Sequence, residues 1–284
     1  MKPSADKKLG APPLASETWD RTNLTRSRVI ATLLLLASGA AASNAQPSGQ
    51  PKPGTVLHVA AAADLQPVMP VFAQEYEKQT GVKMEVSFGS SSALAEQIIN
   101  GAPMDLFLGA DFIFPEKVVA ANLADEKEPV RYAQGTLVLW TRKDSGIAPL
   151  SIDGLTAPNV TRIAIADEFH APFGRAAYAA IDGLKLRDKL KPKIVTAENV
   201  AQAAQFAESG NAQVAFISLT LASSEHMKQI GNYVQAPRLY PPLHQCAVIM
   251  KNSPNRAEAH KFLDWLLTEK VQDTLTKFGL DPVK

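Results

Sequence analysis

The sequence predicts an α/β protein with two lobes, each a mostly parallel sheet flanked by helices. Short apolar stretches typical of strands alternate along the chain with segments whose apolar residues recur at helical spacing. This order is typical of parallel sheets that helices cover on both faces. Two helical segments follow the last predicted strand and need a sheet to cover, which favours a first lobe that the chain re-enters near its end.

The first half of the chain is predicted to alternate strands and helices. Leu65, Phe72 and Tyr76 recur at helical spacing, and Gly81 is placed to end that helix. The elements expected here are strands at 55–60, 82–87 and 105–109, and helices at 65–80, at 93–100 and from residue 115.

The second half repeats this alternation, and no short-period repeat is visible. We expect lobe 1 to comprise residues 55–134 plus 248–284, and lobe 2 to comprise residues 135–247. The elements expected here are strands at 135–141, 162–166, 193–196, 213–217 and 244–251, and helices at 174–181, 200–208, 256–267 and 270–278.

The N-terminal residues have the pattern of an export signal. Arg26 and Arg28 precede an apolar run at 29–37, and small residues follow up to Ala45. The run is too short to span a bilayer, which needs about 20 residues. We therefore predict a cleavable signal at 1–45 and a linker rich in Pro, Gly and Ser at 46–54.

Composition excludes several classes of protein. With 46% hydrophobic and 20% charged residues, a net charge of +1 and no basic patch, the chain is not expected to bind nucleic acid. Its single cysteine, Cys246, excludes an internal disulfide framework and a CxxC site, and we expect it to be a small buried side chain. Removal of residues 1–45 would leave a net charge near −2, so an anion site would have to work through local groups.

Four predicted strand-to-helix junctions carry small or turn-forming residues. Ligands of open α/β sheets bind beyond the carboxyl ends of strands, where free N–H groups and the positive end of the helix dipole attract anions. Ser and Asp are also common N-caps, so from the residues alone a structural role and an anion site both remain open. The junctions are 60–64 (AAAAD), 88–92 (FGSSS), 171–174 (APFG) and 197–200 (AENV).

An enzyme is disfavoured, and we predict no catalytic residues. The chain has no G-x-S-x-G, H-E-x-x-H or P-loop motif, and its five histidines are scattered. Asp105 and Asp111 could form a carboxylate pair, but we expect Asp105 to begin a strand and Asp111 to cap the next helix. Arg175 is expected to be a solvated residue in the first turn of its helix.

Several motifs together resemble the periplasmic molybdate-binding proteins of ABC transporters, over almost all of residues 55–284. They are AAAADL at 60–65, FGSSSAL at 88–94, GAPMD at 101–105, LFLGAD at 106–111, and Phe278 with Gly279. The resemblance implies the two-lobed periplasmic-binding-protein fold, whose lobes close over a tetrahedral oxyanion. It also implies a periplasmic monomer that holds molybdate, and tungstate with it, by neutral hydrogen bonds, without a cofactor or a protein ligand to the metal. The implied partner is the membrane permease.

The resemblance also implies the residues that bind the oxyanion. Ser91 matches a hydroxyl donor, Phe173 and Val200 match positions that supply backbone N–H groups, and Ser218 stands where some members have a tyrosine donor. Ser90 and Ser92 are expected to support this site.

Asp64 departs from the family pattern, because it stands where members often have a hydroxyl donor. An ionised carboxylate cannot donate a hydrogen bond and would repel a dianion. We expect Asp64 to turn its carboxylate onto backbone N–H groups as a helix cap. A proton shared between Asp64 and the ligand is the alternative.

Other ligands remain as alternatives. Sulfate or another oxyanion is one alternative to molybdate. Iron is disfavoured because the five tyrosines are separated, and amino acids are disfavoured because the junctions supply only Arg175 for a carboxylate. A sensor domain of a transcription regulator is disfavoured, because the predicted export signal at 1–45 occupies the place of the helix-turn-helix that such a protein needs.

Overall fold

The computed structural model describes residues 54–283. The predicted signal at 1–45 and linker at 46–54 lie outside these residues, except for Gly54. Within the described part of the chain, strands form a six-stranded and a five-stranded sheet, and helices flank both. No helix of residues 54–283 has the length and apolar character needed to cross a membrane.

The strands and helices follow one another largely in the predicted order. In chain order the strands are β1 (Val56–Ala62), β2 (Lys83–Gly89), β3 (Leu106–Gly109), β4 (Val130–Gly135), β5 (Leu137–Arg142), β6 (Ile163–Ala166), β7 (Ile194–Ala197), β8 (Val214–Ser218), β9 (Gly231–Gln235), β10 (Leu243–Ile249) and β11 (Asp281–Pro282). The helices are α1 (Met69–Thr80), α2 (Ser91–Ile99), α3 (Ile113–Ala120), α4 (Pro172–Gly183), α5 (Arg187–Leu190), α6 (Val200–Glu208), α7 (Leu219–Ala222), α8 (Glu225–Ile230), α9 (Arg256–Leu266) and α10 (Glu269–Lys277).

Both sheets are mixed rather than mostly parallel. In the larger sheet, β1 pairs in parallel with β2 and β3, whereas β10 runs antiparallel to β3 and β4. In the smaller sheet, β6 pairs in parallel with β7 and β8, whereas β5 runs antiparallel to β8 and β9. The antiparallel pairs arise where the chain crosses between the sheets, since β4 leads out into β5 and β9 leads back into β10.

The larger sheet with its helices is lobe 1, and the smaller sheet with its helices is lobe 2. The chain leaves lobe 1 between Gly135, the last residue of β4, and Leu137, the first of β5. The chain is back in the larger sheet by Leu243, the first residue of β10, which pairs with Gly135. The first part of β10 pairs with β4, through Ala247, and its second part pairs with β3 from Cys246 to Ile249.

The closing helices cover the larger sheet, as the sequence predicted. Trp265 of α9 packs edge-on against Phe72 and Tyr76 of α1, with ring centroids 5.5 and 5.3 Å apart. The buried Tyr76 hydroxyl donates to Glu258 of α9 over 2.7 Å. Helix α1 ends where Gly81 adopts a left-handed conformation, with φ of 77°, as its sequence position indicated.

Candidate functional site

The four strand-to-helix junctions surround one small cavity between the lobes. The structure therefore brings together five of the predicted site residues: Asp64, Ser90, Ser91, Phe173 and Val200. The residues lining the cavity are Ala62, Ala63, Asp64, Gly89, Ser90, Ser91 and Ala110 from lobe 1, and Ala171, Pro172, Phe173, Asn199 and Val200 from lobe 2.

Lobe 2 presents the starts of two helices to the cavity. Pro172 is the first residue of α4 and has no N–H, so Phe173 carries the first N–H of that helix. At the start of α6, Asn199 Oδ1 accepts from the N–H groups of Ala201 and Gln202, both at 3.0 Å. The N–H groups of a first turn have no partner within the helix, so those of Phe173 and Val200 remain for a ligand.

Gly174 allows α4 to begin directly on the end of β6. A Cβ at this position would lie 2.3 Å from the carbonyl oxygens of Ala166 and of Asp167. Any other residue would push the first turn of α4, with its N–H groups, away from the cavity.

Lobe 1 presents the start of α2. Ser90 is the N-cap of this helix, and its hydroxyl accepts from the N–H of Ala93 at 3.3 Å. The Ser91 hydroxyl is almost fully buried and accepts from the N–H of Ala110 at 3.0 Å. The hydroxyl is the acceptor in this bond, so its proton remains available for donation into the cavity.

Two predicted site residues do not line the cavity. The Ser92 hydroxyl donates to Glu96 Oε1 on the outer side of α2 at 3.1 Å. Ser218 is fully buried at the end of β8, where its hydroxyl caps α7 by accepting from the N–H of Leu221 at 3.2 Å. In this structure the Ser92 hydroxyl bonds within α2, and the Ser218 hydroxyl caps α7.

The expectation that Asp64 caps a helix is wrong. The 3-10 helix Ala63–Leu65 has no side-chain cap, and Asp64 Oδ2 instead accepts a hydrogen bond from the Gln245 side chain on β10. Asp64 is fully buried, and its Oδ1 has no hydrogen-bond partner among residues 54–283. Asp64 is the second residue of this helix, and the N-cap position is occupied by Ala62.

Gln245 links Asp64 to a second buried side chain that sequence reasoning missed. The Tyr132 hydroxyl on β4 donates to Gln245 Oε1 over 2.7 Å. Burial raises the pKa of Asp64 to about 6, and the hydrogen bond from Gln245 lowers it in part. The sequence signal for Gln245 is a polar residue directly before the apolar run CAVI of the strand LHQCAVI, in which Cys246 is buried as expected.

An ion pair joins the lobes beside the cavity. Asp111 Oδ1 accepts from the N–H of Phe114 at 3.2 Å, as expected of a cap on α3. Its Oδ2 accepts from Arg175 of α4, whose side chain is 35% exposed, so Arg175 is partly solvated and also ion-paired. Arg175 also lies over the Phe114 ring, 5.5 Å from its centroid. With the hydrogen bond from Ser92 N–H to His170 O, at 3.3 Å, these contacts hold the lobes together.

The cavity offers neutral donors and no cation. Among the described residues that line it, none is Lys, Arg or His, and Asp64 is the sole ionisable side chain. No group of three or more His, Cys, Asp or Glu within residues 54–283 is placed to hold a metal ion. Asp105 bonds to His58 N–H and Ser253 away from Asp111, so the two do not form a carboxylate pair.

Two α/β lobes that close helix starts over a small cavity define a binding protein of the two-lobed class. The chain belongs to the family of bacterial extracellular solute-binding proteins, whose model matches residues 57–281.

Individual relatives agree with this assignment. The chain is 35% identical, over 231 residues, to the molybdate-binding protein ModA of Rhodobacter capsulatus, covering 80% of this chain and 88% of the relative. The solved periplasmic molybdate-binding protein of Azotobacter vinelandii superposes with a TM-score of 0.75 at 31% identity, covering 80% of this chain and all of that one. The sulfate-binding protein SubI of Mycobacterium tuberculosis has a TM-score of 0.69 at 16% identity, covering 81% of this chain and 88% of that one, which shows a shared fold alone.

We predict that Asp64→Asn stabilises the protein at pH 8 and has little effect near pH 4. The pKa of Asp64 is raised from 3.8 to about 6, so between these values the folded state keeps a proton that the unfolded chain has lost. This contribution makes stability fall as the pH rises from 4 to 6, and an amide escapes it. A shift of about two pKa units corresponds to about 3 kcal/mol at pH 8.

Urea unfolding of both proteins at pH 4, 6 and 8 measures this effect, because the difference between them cancels other titrating groups. If the difference in unfolding free energy between the two proteins stays constant from pH 4 to pH 8, the raised pKa of Asp64 is contradicted.

Proposed function

We propose that this protein captures molybdate, and tungstate with it, and delivers the oxyanion to the membrane permease of an ABC importer. One observation carries the proposal. Neutral N–H and O–H donors from helix starts of both lobes converge on a small cavity that has no cationic lining residue. The likeness to proteins named for molybdate binding supports the choice of oxyanion.

The donor set suits a tetrahedral oxyanion. Ser91 offers a backbone N–H and a hydroxyl from lobe 1, and Phe173 and Val200 offer N–H groups from lobe 2. Four oxygens can accept from several directions at once, and fixed donors need little rearrangement on binding. Sulfate is smaller and would leave donors out of reach, at about 1–3 kcal/mol for each one left unpaired.

Sulfate is the second candidate, because it is also a tetrahedral oxyanion. The sulfate-binding neighbour is 16% identical and shows a shared fold alone, whereas the relatives named for molybdate binding are 35% and 31% identical, so molybdate is favoured. We assign no catalytic step, since the family is one of binding proteins and neither Asp105 nor Asp111 is free to act as a base.

We place the protein in the periplasm as a monomer. The predicted signal at 1–45 and the family of extracellular solute-binding proteins support export. Closure of the lobes over the ligand would present one shape to the permease.

Calorimetry of the purified protein should show tight binding of molybdate and of tungstate, because the two anions are nearly equal in size. Sulfate should bind about 100-fold more weakly or worse, since several donors lose their partner. Equal affinity for sulfate would contradict the molybdate assignment. Absence of binding to all three anions would contradict the oxyanion site.

Ser91→Ala should weaken molybdate binding about 10- to 100-fold. The substitution leaves one ligand oxygen without a partner, at about 1–3 kcal/mol. The Ala110 N–H loses its acceptor in the free and the bound protein alike, which lowers stability rather than affinity. Ser92→Ala is the matched control, because this neighbouring hydroxyl bonds to Glu96 outside the cavity. We expect the control to bind as the unmodified protein does, and equal losses in both variants would contradict the donor role of Ser91.

Arg175→Ala should weaken molybdate binding several-fold by removing the ion pair that joins the lobes in the closed form. A partly exposed pair is worth about 1 kcal/mol, because solvent screens it. The matched control is Arg256→Ala, which removes an exposed pair with Asp125 inside lobe 1. Calorimetry should show no change in the control, and an unchanged affinity in Arg175→Ala would contradict a role in closure.

A further inference from the structure

We propose that Asp64 binds the oxyanion as a protonated carboxyl group that donates a hydrogen bond from Oδ1, so that each capture takes up one proton. This inference rests on the proposed function, because it needs an oxyanion in the cavity. It assigns to Asp64 a donor role that an ionised carboxylate cannot fill.

The placement of the two carboxyl oxygens leads to this proposal. Asp64 lines the cavity and has no exposed surface. Gln245 occupies Oδ2, and Oδ1 is without a partner among the described residues, so Oδ1 is the oxygen left for a ligand. A buried carboxylate oxygen without a donor is costly, whereas a protonated one can pair with an oxygen of the anion.

The cavity has no positive charge that would let an ionised Asp64 and a dianion coexist. None of its described lining residues is Lys, Arg or His. The neutral donors already face the anion, and they cannot satisfy two sets of negative oxygens at once. Two like charges in one buried site favour protonation of the carboxyl group.

The charged groups on the elements packed around Asp64 do not offset this repulsion. Helix α7 has no titratable residue, and α6 has Glu208 alone, at its far end and bonded to His226 at 2.7 Å. On β2, Lys83 and Glu85 occupy exposed positions near the start of the strand.

The groups closest to the site are neutral or paired. Burial raises the pKa of the Tyr132 hydroxyl on β4 well above its ordinary value and that of Cys246 on β10 to about 12, so both are uncharged at neutral pH. Asp111 and Arg175 neutralise each other across the cleft. Glu96 of α2 and Arg131 of β4 are exposed, and burial lowers the pKa of the half-buried His244 on β10.

The pKa of Asp64, raised to about 6 by burial, makes the proton uptake measurable. Above pH 6 the empty protein is mostly ionised at Asp64, and the bound dianion raises this pKa further. The complex therefore holds more protons than the free protein. Molybdate affinity should fall as the pH rises above 6, by up to tenfold for each pH unit.

Calorimetry with molybdate at pH 8, in buffers of different ionisation enthalpy, measures the number of protons taken up. We expect a value approaching one for the unmodified protein. The dissociation constant, measured between pH 6.5 and 8.5, should rise with pH.

Two variants test whether Asp64 is the group that takes up the proton. In Asp64→Asn the amide replaces the protonated acid, so uptake should fall to near zero and the affinity should become independent of pH and at least tenfold tighter at pH 8. Glu126→Gln is the matched control. Burial also raises the pKa of Glu126, and its Oε1 has no partner among residues 54–283, but it lies outside the cavity. This control should take up the proton as the unmodified protein does.

The outcomes separate this inference from the proposed function. Tight molybdate binding without proton uptake, with an affinity that does not vary with pH, overturns the role of Asp64 and leaves the proposed function intact. Uptake that persists in Asp64→Asn assigns the proton to another group and also overturns it. Failure to bind molybdate at any pH overturns both. The measurement on the unmodified protein decides the question even if Asp64→Asn does not fold.

Discussion

Free backbone N–H groups at the starts of α2, α4 and α6 converge on one cavity, and the two-lobed architecture makes this convergence possible. Within each sheet, parallel strands bring their carboxyl ends, and the helices that follow, to one edge. Helix α2 belongs to lobe 1, and α4 and α6 belong to lobe 2, so the donor ring is complete only when the lobes meet. The contact of Arg175 with Asp111 holds them in that arrangement.

The two-lobed architecture also explains the buried hydrogen-bond network of Tyr132, Gln245 and Asp64 behind the cavity. Tyr132 lies on β4 and Gln245 on β10, the strands through which the chain leaves and re-enters lobe 1. Through Gln245 they fix the orientation of Asp64. Buried polar groups are costly unless each has a partner. Among the side-chain oxygens and nitrogens of Tyr132, Gln245 and Asp64, Asp64 Oδ1 alone has no partner within residues 54–283. The exception lies on the residue that lines the cavity, where a ligand would complete the network.

The helix starts can be predicted from the sequence, because the residues that favour a helix start lie at that start. Pro172 begins α4 and Asn199 caps α6 with the residue types that favour these positions. The pairings of Asp64 with Gln245 and of Arg175 with Asp111 could not be predicted, since each depends on which strands and lobes become neighbours. The sequence favours Asp64 as an N-cap, because Asp is common at the N-cap position of helices. Strand β4 was missed because the single residue Thr136 separates it from β5.

A crystal structure of the protein with bound molybdate tests the central claim most directly. The account predicts anion oxygens at about 2.7–3.2 Å from the N–H groups of Ser91, Phe173 and Val200, with no Lys, Arg or His side chain in contact. An anion held by a cationic side chain, or bound away from these helix starts, would contradict it.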